Sequence, residues 1–365
     1  MERVGIGIVG CGYISEAYLK AAAHFPILDV RGVADLRPEA AEARARQFGV
    51  PARSVDELLR DETVEIVVNL TVPAAHVEVG LRALGAGKHV HSEKPLGRSS
   101  AEARTLLEEA EKRGLRVGCA PDTFLGGSHQ TCRKLVDEGA IGQPVAGTAF
   151  FMCPGHERWH PSPAFYYEEG GGPMLDMGPY YITALVNLLG PVARVTGLAT
   201  RARAERTITS EPLKGTAIPV HVATHVAGLM EFVSGAIVSI AMSFDVAKHR
   251  HGPIELYGTE ASLAVPDPNR FGGTIEFARA GGEWSEQPTQ HPYADGNYRV
   301  VGVADLASAL RSGRPHRASG DLALHVLEVM EAFQVSSDRG RHVAVESRPA
   351  RPAMLPTSLG AGALD

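Results

Sequence analysis

Val4-Gly5-Ile6-Gly7-Ile8-Val9-Gly10-Cys11-Gly12-Tyr13-Ile14-Ser15 opens the readable part of the chain. The run from Val4 to Val9 is apolar and partly β-branched, the pattern of a strand buried on both faces. Two glycines follow with one residue between them, and residues 16–24 then read as a helix. Strand, G-x-G turn and helix form the order of a dinucleotide-binding unit. Gly10 permits the tight turn, and Gly12 lets the backbone approach a pyrophosphate at the helix N-terminus. Ser15 stands where a third Gly or Ala is usual and is small enough to keep helix and strand close. Tyr13 and Ile14 complete the loop that would border the cofactor.

The segments that follow repeat the alternation. Residues 29–34 form a second strand pattern ending at Asp35. An acidic residue about twenty positions beyond the glycines is where the ribose hydroxyls of NAD would be held. Arg37 is placed to pair with a 2′-phosphate, which leaves NADP open beside NAD. Residues 64–70 are a third strand pattern, and Thr71, Pro73 and His76 follow at its C-terminal edge, near the cofactor. A helix and a strand then lead into His91-Ser92-Glu93-Lys94-Pro95. Ligands of doubly wound sheets bind at the C-terminal ends of strands, so Glu93 is assigned to the cofactor and Lys94 to cofactor and substrate. Burial or a nearby positive charge would lower the Lys94 pKa towards neutrality, which suits proton transfer. The plain alternative is a surface salt bridge ahead of a helix. A helix at 101–113 and a strand at 116–120 complete this half. Such alternation predicts a parallel sheet with right-handed crossovers.

Beyond residue 121 the alternation stops. A helix at 128–138 precedes strand patterns at 145–152, 192–200, 224–232, 236–244, 254–257 and 274–277, with one helix somewhere within 173–189. Helices near 298–312 and 321–337 are expected to pack back on the first half, and the tail from 348 to be extended or frayed. The expected architecture is α/β: a Rossmann domain over residues 1–121, and an α+β domain over 122–365 with a large, mostly antiparallel open sheet for substrate and oligomerisation.

Bulk composition narrows the function. The 365 residues carry a formal charge of −6, with 44% hydrophobic and 21% charged residues, an ordinary soluble balance. There is no basic tract for a nucleic-acid groove and no apolar run of membrane-spanning length. The N-terminal residues enter a strand without a charged lead and cleavage site, so no secretory signal is expected. The four cysteines are scattered without a C-x-x-C pair and read as reduced thiols of a cytoplasmic protein. The fifteen histidines show no metal-ligand spacing, and no metal is expected.

The second unusual stretch is Gly170-Gly171-Gly172-Pro173-Met174-Leu175-Asp176-Met177-Gly178-Pro179-Tyr180-Tyr181. Three glycines before a helix would let backbone approach a ligand. Asp176 and Tyr180, four apart, share a face if the helix runs through them. Pro179 would remove a hydrogen bond and crowd the Leu175 carbonyl, so either the helix kinks there or it begins there. The plain reading makes Asp176 a cap and Tyr180 a core aromatic. Further substrate contacts are expected from His156 and Trp159, in a loop rich in hydrogen-bonding groups. Asp122 and Thr123, just past the last strand of the first half, are expected to face the cleft.

The glycine turn, Asp35, Glu93-Lys94-Pro95 and the G-G-x-x-x-D-x-G-x-[H/Y] stretch occur in that order and together resemble the Gfo/Idh/MocA oxidoreductase family. That family includes glucose–fructose oxidoreductase, inositol dehydrogenase and dimeric dihydrodiol dehydrogenase. The resemblance covers most of the chain. It implies NAD(P)-dependent chemistry on a sugar or polyol, an N-terminal Rossmann domain and a C-terminal open sheet that commonly pairs in homodimers or homotetramers. By position, Lys94 is the family lysine and Asp176 the family aspartate. Tyr180 falls where many members have His, and is similar to the Tyr of glucose–fructose oxidoreductase and the dihydrodiol dehydrogenases.

The chemistry expected is hydride transfer from a sugar or cyclitol carbon to the nicotinamide. Tyr180 takes the hydroxyl proton, its ordinary pKa near 10 lowered by Lys94 and by the nicotinamide's charge. Lys94 stabilises the alkoxide, and Asp176 holds a second hydroxyl or orients Lys94. The roles of Lys94 and Tyr180 can also be exchanged. Two other functions are compatible: glycoside cleavage through transient NAD-dependent oxidation, and NAD(H) sensing without catalysis.

Overall fold

The computed structural model describes residues 2–365. In chain order the first half contains β1 (Val4–Val9), α1 (Ser15–Ala22), β2 (Leu28–Ala34), α2 (Pro38–Phe48), β3 (Ala52–Arg53), α3 (Val55–Arg60), β4 (Ile66–Asn69), α4 (His76–Gly85), β5 (His89–Ser92), α5 (Ser100–Lys112) and β6 (Val117–Cys119). The second part contains α6 (Gly127–Asp137), β7 (Pro144–Met152), α7 (Pro173–Leu189), β8 (Val192–Thr200), β9 (Glu205–Thr207), β10 (Ala217–Pro219), β11 (His225–Phe232) and β12 (Ile237–Ser243). It closes with β13 (Ile254–Gly258), β14 (Ala261–Val265), β15 (Ile275–Arg279), β16 (Ser285–Gln287), α8 (Val301–Ser312), α9 (Gly320–Arg339) and β17 (Val343–Ala344).

The first sheet has six parallel strands in the order β3-β2-β1-β4-β5-β6. This is the doubly wound order, with its switch point between β1 and β4, where such sheets place a ligand. Every residue of β1 and β4 is buried, as central strands covered on both faces should be.

The second sheet has nine strands in the order β16-β15-β14-β13-β7-β12-β11-β8-β17. All its pairings are antiparallel except β7 with β12. Alternation along the strands sends Val195, Met230 and Val238 inward, where α7 and α9 cover them, and Leu256 into the same core. The opposite face is open and carries Leu198 at 70%, Ile237 at 47% and Leu229 at 42% exposure.

Helices α8 and α9 return to the first sheet, as their amphipathic pattern predicts. Ser319 bridges to Gly118 on β6, and the Cys119 N–H donates to the Ala318 carbonyl at 3.0 Å. Arg311 on α8 holds Glu65 at 2.6 Å, and Glu331 on α9 accepts from the Ser100 hydroxyl at 2.6 Å. The tail is extended but not frayed. Leu355 and Leu364 are buried, and Tyr293 donates to the Ala363 carbonyl at 2.5 Å. Polar contacts add to these leucines: Arg351 pairs with Asp137 at 2.7 Å, and Arg314 holds the Asp365 carboxylate at 2.5 Å.

Two buried histidines make stability depend on acid. Burial lowers the pKa of His91 to about 3 and that of His325 to about 4, and both rings are fully buried. In the unfolded chain each binds a proton near 6.5. Below that pH the unfolded state takes up protons that the folded state refuses. Stability is therefore full above about pH 6.5 and falls as pH drops towards 4, by on the order of 3 kcal/mol per ring. The melting temperature is expected to decline steadily from pH 7 to pH 4.5. A flat profile would show that these rings are not held neutral.

Candidate active site

The glycine turn is built as the sequence requires. Gly10 sits at φ +103°, and a Cβ there would lie 2.6 Å from the Leu70 carbonyl atoms. Gly12 faces open space, with no protein atom within 4 Å of a Cβ placed on it. The Asp35 carboxylate accepts from the Cys11 N–H at 2.8 Å and from the Arg37 N–H at 2.9 Å, so the end of β2 braces the turn. Arg44 of α2, which the sequence reading passed over, donates to the Gly12 carbonyl at 3.1 Å and to the Ser15 hydroxyl at 3.0 Å. Tyr13, Leu36 and Val72 lie 94%, 90% and 66% exposed at the C-terminal ends of β1, β2 and β4. Ile14 is half-buried as the N-cap of α1, whose first N–H groups have no side-chain cap. An open glycine loop, an uncapped helix N-terminus and a rim of exposed apolar side chains fit a dinucleotide. Replacing Asp35 with serine is expected to weaken NAD binding at least about tenfold, the loss of one or two charge-assisted hydrogen bonds. A titration showing unchanged NAD affinity would remove Asp35 from the cofactor site.

The loops after β4 and β5 are tied together from inside. His76 was assigned to the cofactor, but it is fully buried. Its Nδ1 lies 2.6 Å from the Pro95 carbonyl and its Nε2 3.0 Å from the Thr71 carbonyl. It braces the segment carrying Thr71 and Pro73 against the segment carrying Lys94. Glu93 is also inward: it accepts from the Tyr18 hydroxyl at 2.8 Å and from the Lys94 N–H at 3.0 Å.

α7 settles the question raised by Pro179. The helix begins with Pro173 as its first residue and runs through Pro179. Asp176 and Tyr180 therefore share one face, one turn apart. Two of the three glycines meet protein: a Cβ on Gly171 would lie 2.5 Å from the Phe165 carbonyl oxygen, and one on Gly172, at φ +89°, 2.9 Å from the Ala223 carbonyl oxygen, while Gly170 faces open space.

The two parts of the chain meet at Lys94 and Asp176. Lys94 Nζ donates to the Asp176 carboxylate at 2.8 Å and to its main-chain carbonyl at 2.7 Å. Burial pushes the Lys94 pKa down, but the Asp176 carboxylate and the Tyr180 ring environment outweigh it and hold the ammonium well above its ordinary value. The expected shift towards neutrality is thus reversed, because a carboxylate rather than a cation is the neighbour. Asp176 is the mirror image. Burial raises its pKa, but the Lys94 charge and the His156 hydrogen bond bring it down to about 2. At neutral pH the pair is ionised, and Lys94 can donate but not accept.

His156 joins this pair, its Nε2 lying 3.0 Å from the second Asp176 oxygen. The Trp159 indole N–H donates to His156 Nδ1 at 3.1 Å. Burial lowers the His156 pKa, and hydrogen bonding to Asp176 and Cys153 raises it, to about 9. The carboxylate favours imidazolium; the indole favours the neutral ring with its proton on Nε2. The indole contact is the more specific of the two, since an imidazolium has no lone pair to accept it. Trp159 itself is 59% exposed, with an aromatic face outward.

Tyr180 lies on the other side of Lys94, whose Nζ is 5.4 Å from the ring centroid. Its hydroxyl accepts from Arg299 Nη1 at 3.3 Å. Arg299 was not foreseen, since it precedes α8 in a loop with no motif of its own. Asp122 was expected in the cleft and is instead fully buried; its carboxylate accepts the Val300 N–H at 3.0 Å and the Gly302 N–H at 2.9 Å. Burial raises its pKa. Thr123 is buried beside it at 1% exposure, and neither side chain is open to solvent. Among the described residues no cluster of His, Cys, Asp or Glu could hold a metal ion.

Comparison with known proteins bears on the two parts of the chain in turn. Residues 4–120 match the oxidoreductase family with an NAD-binding Rossmann fold, and residues 129–264 match the GFO/IDH/MocA C-terminal domain. Levoglucosan dehydrogenase of Pseudarthrobacter phenanthrenivorans is 24% identical over 82% of this chain and 84% of its own length. The 1,5-anhydro-D-fructose reductase of Ensifer adhaerens is 25% identical over 93% of this chain and 98% of its own. Inositol 2-dehydrogenase of Salmonella paratyphi B is 30% identical over 38% of this chain and 43% of its own. Among solved structures, levoglucosan dehydrogenase in complex with NADH superposes with a TM-score of 0.82, at 21% identity, over 95% of this chain and all of that one.

Proposed function

The chain belongs to the GFO/IDH/MocA oxidoreductase family, and from that premise we propose that it moves a hydride between the CH–OH group of a sugar, sugar derivative or cyclitol and NAD. The single observation that carries this reading is the ionised Lys94–Asp176 pair, with Tyr180 beside it, at the C-terminal end of β5. When bound, the nicotinamide supplies the hydride acceptor. Tyr180, as the phenolate, receives the substrate hydroxyl proton on oxidation and, as the phenol, returns it on reduction. Lys94, always charged, donates to the oxygen as its negative charge grows. Asp176 fixes the Lys94 ammonium, and His156 with Trp159 fixes Asp176. Gly10, Gly12, Tyr13, Ile14, Asp35, Arg37, Thr71 and Pro73 surround the cofactor. His76 and Glu93 act one layer behind, as braces. The domain boundary falls at residues 121–122.

Relatives named for levoglucosan, 1,5-anhydrofructose and inositol support a polyhydroxylated ring as substrate. The exposed Leu198, Leu229 and Ile237 on one sheet face support pairing of that face in a homodimer or homotetramer. No helix among the described residues is long and apolar enough to cross a membrane, and all four cysteines are free, which supports a cytoplasmic setting.

The test is a screen with NAD or NADP against sugars, anhydrosugars, inositols and glycosides, following absorbance at 340 nm and analysing products. A substrate-dependent rise supports the dehydrogenase. Glycoside cleavage with a flat trace would replace it with the transient-oxidation reading. Bound NAD with no product from any substrate would point to a sensor.

A further inference from the structure

We propose that Arg299 is the positioning residue for the Tyr180 hydroxyl: it donates to that oxygen, directs the phenol proton towards substrate and stabilises the charge left when the proton moves. The inference rests on the dehydrogenase reading, in which Tyr180 exchanges the proton.

Three observations point to Arg299 rather than Lys94 for this task. First, Lys94 Nζ is committed to Asp176 through two bonds and meets Tyr180 only over the ring, at 5.4 Å from its centroid. The cation at the oxygen itself is Arg299, at 3.3 Å. A guanidinium can only donate. The Tyr180 oxygen is therefore the acceptor of that bond, and its own proton is left for another partner.

Second, Arg299 is not held in an ion pair. Buried arginines elsewhere in the fold have carboxylates: Arg206 has Glu157 and Asp245, and Arg317 has Asp305. Among the described residues none comes within 4.0 Å of the Arg299 guanidinium. Its other partner is neutral, the Asn269 side-chain oxygen at 2.6 Å. A cation aimed at the phenol oxygen, with its charge not cancelled by direct contact, is suited to an oxygen that is negative whenever the shared proton rests on the substrate.

Third, the backbone is strained to aim it. Val300, the next residue, sits at φ +120°, a conformation that β-branched residues rarely adopt. The buried Asp122 carboxylate holds it there through the Val300 and Gly302 N–H groups. This gives Asp122 a purpose other than substrate contact: it fixes the turn from which Arg299 projects. The same turn borders a cavity of about 670 Å³ lined by Asp267, Asn269, Asp295 and Asn297.

The experiment compares Arg299→Met, Arg299→Lys, Tyr180→Phe and the double variant Tyr180→Phe/Arg299→Met on the best substrate of the screen. NAD affinity is measured alongside. Arg299→Met is expected to lower kcat by about 100-fold, the range for loss of one preorganised donor, with KM and NAD affinity changed by no more than a few-fold. Arg299→Lys should recover part of the rate. Because Arg299 acts through Tyr180, the double variant should be no slower than Tyr180→Phe alone. Added guanidinium ion should partly restore an Arg299→Ala variant, which a merely structural defect would not allow.

Losses that multiply in the double variant would overturn the proposal. So would a raised KM at unchanged kcat, which would make Arg299 a direct substrate contact. A wild-type enzyme that oxidises nothing in the screen would instead strike the dehydrogenase reading, and this inference with it. An active enzyme insensitive to Arg299→Met would overturn this inference alone.

Discussion

Replacing Lys94 with alanine is expected to lower the rate of hydride transfer by about 10³-fold or more, combining the loss of an electrostatic donor with the misplacement of its neighbours, while NAD still binds. Lys94 is the one ammonium in bonding contact with Asp176, and Asp176 reaches a pKa of about 2 because Lys94 and His156 outweigh its burial. Without Lys94 the carboxylate keeps only His156, and part of its charge must be discharged by taking up a proton. Breaking a buried pair from one side costs roughly 3 kcal/mol or more, so the melting temperature should fall as well. Arginine is not a remedy, since its planar fork cannot reproduce two bonds from one ammonium to a carboxylate and a carbonyl. Stopped-flow measurement of the hydride step and an NAD titration separate the two effects. Unchanged turnover in Lys94→Ala would remove Lys94 from the chemistry.

Gly10→Ala is expected to abolish NAD binding within any accessible concentration and to cost stability as well. At φ +103° a side chain is strained, and its Cβ would lie 2.6 Å from the Leu70 carbonyl atoms and 2.8 Å from the Thr71 nitrogen. Backbone must move, at a cost of roughly 2–4 kcal/mol for strain and overpacking together. Gly12→Ala is the informative contrast. A Cβ there meets no protein atom within 4 Å, so the apo protein should melt close to the parent. Its NAD affinity should nonetheless fall, because the space it fills is the space a pyrophosphate would use. A Gly12→Ala protein with parental affinity would move the pyrophosphate elsewhere on the turn.

The extent to which the fold could be read varies with the range of the interaction responsible. β1, the glycine turn and β2 were legible because each is a local pattern: a buried run, a backbone that only glycine tolerates, an acid at a fixed distance. α7 was legible as a helix, but not where it began. Pro179 reads as a breaker, whereas Pro173 at the first position is the actual start. β3, at two residues, is too short to show a period, and β14 (Ala261–Val265) carries alanine at both an inward and an outward position, which blurs its alternation in sequence. β9 and β10 pair only with each other and leave no hydrophobic signature.

The site shows the same division. Lys94, Asp176 and Tyr180 could be nominated by motif, but the protonation state of Lys94 depends on a carboxylate 82 positions away. His76 looked like a loop residue near the cofactor because its two carbonyl partners carry no side-chain signal. Asp122 follows a strand end where ligand contacts are common, and only the return of the chain at Val300 turns it inward. Arg299 had no motif at all; its meaning comes from a tyrosine 119 positions earlier.

The bridge between Gly118 and Ser319 also sets a schedule for biosynthesis. β6 is the edge of the parallel sheet, and its outer hydrogen bonds wait for a segment about two hundred residues later in the chain. At roughly 5–20 residues per second, the nascent parallel sheet would stand on the ribosome for tens of seconds with that margin unsealed. An unpaired margin of this kind invites other chains. The cofactor-binding half is therefore not a module that completes itself on emergence. It is finished by a segment made about two hundred residues later, and a message truncated before α9 would release a chain whose parallel sheet is still open.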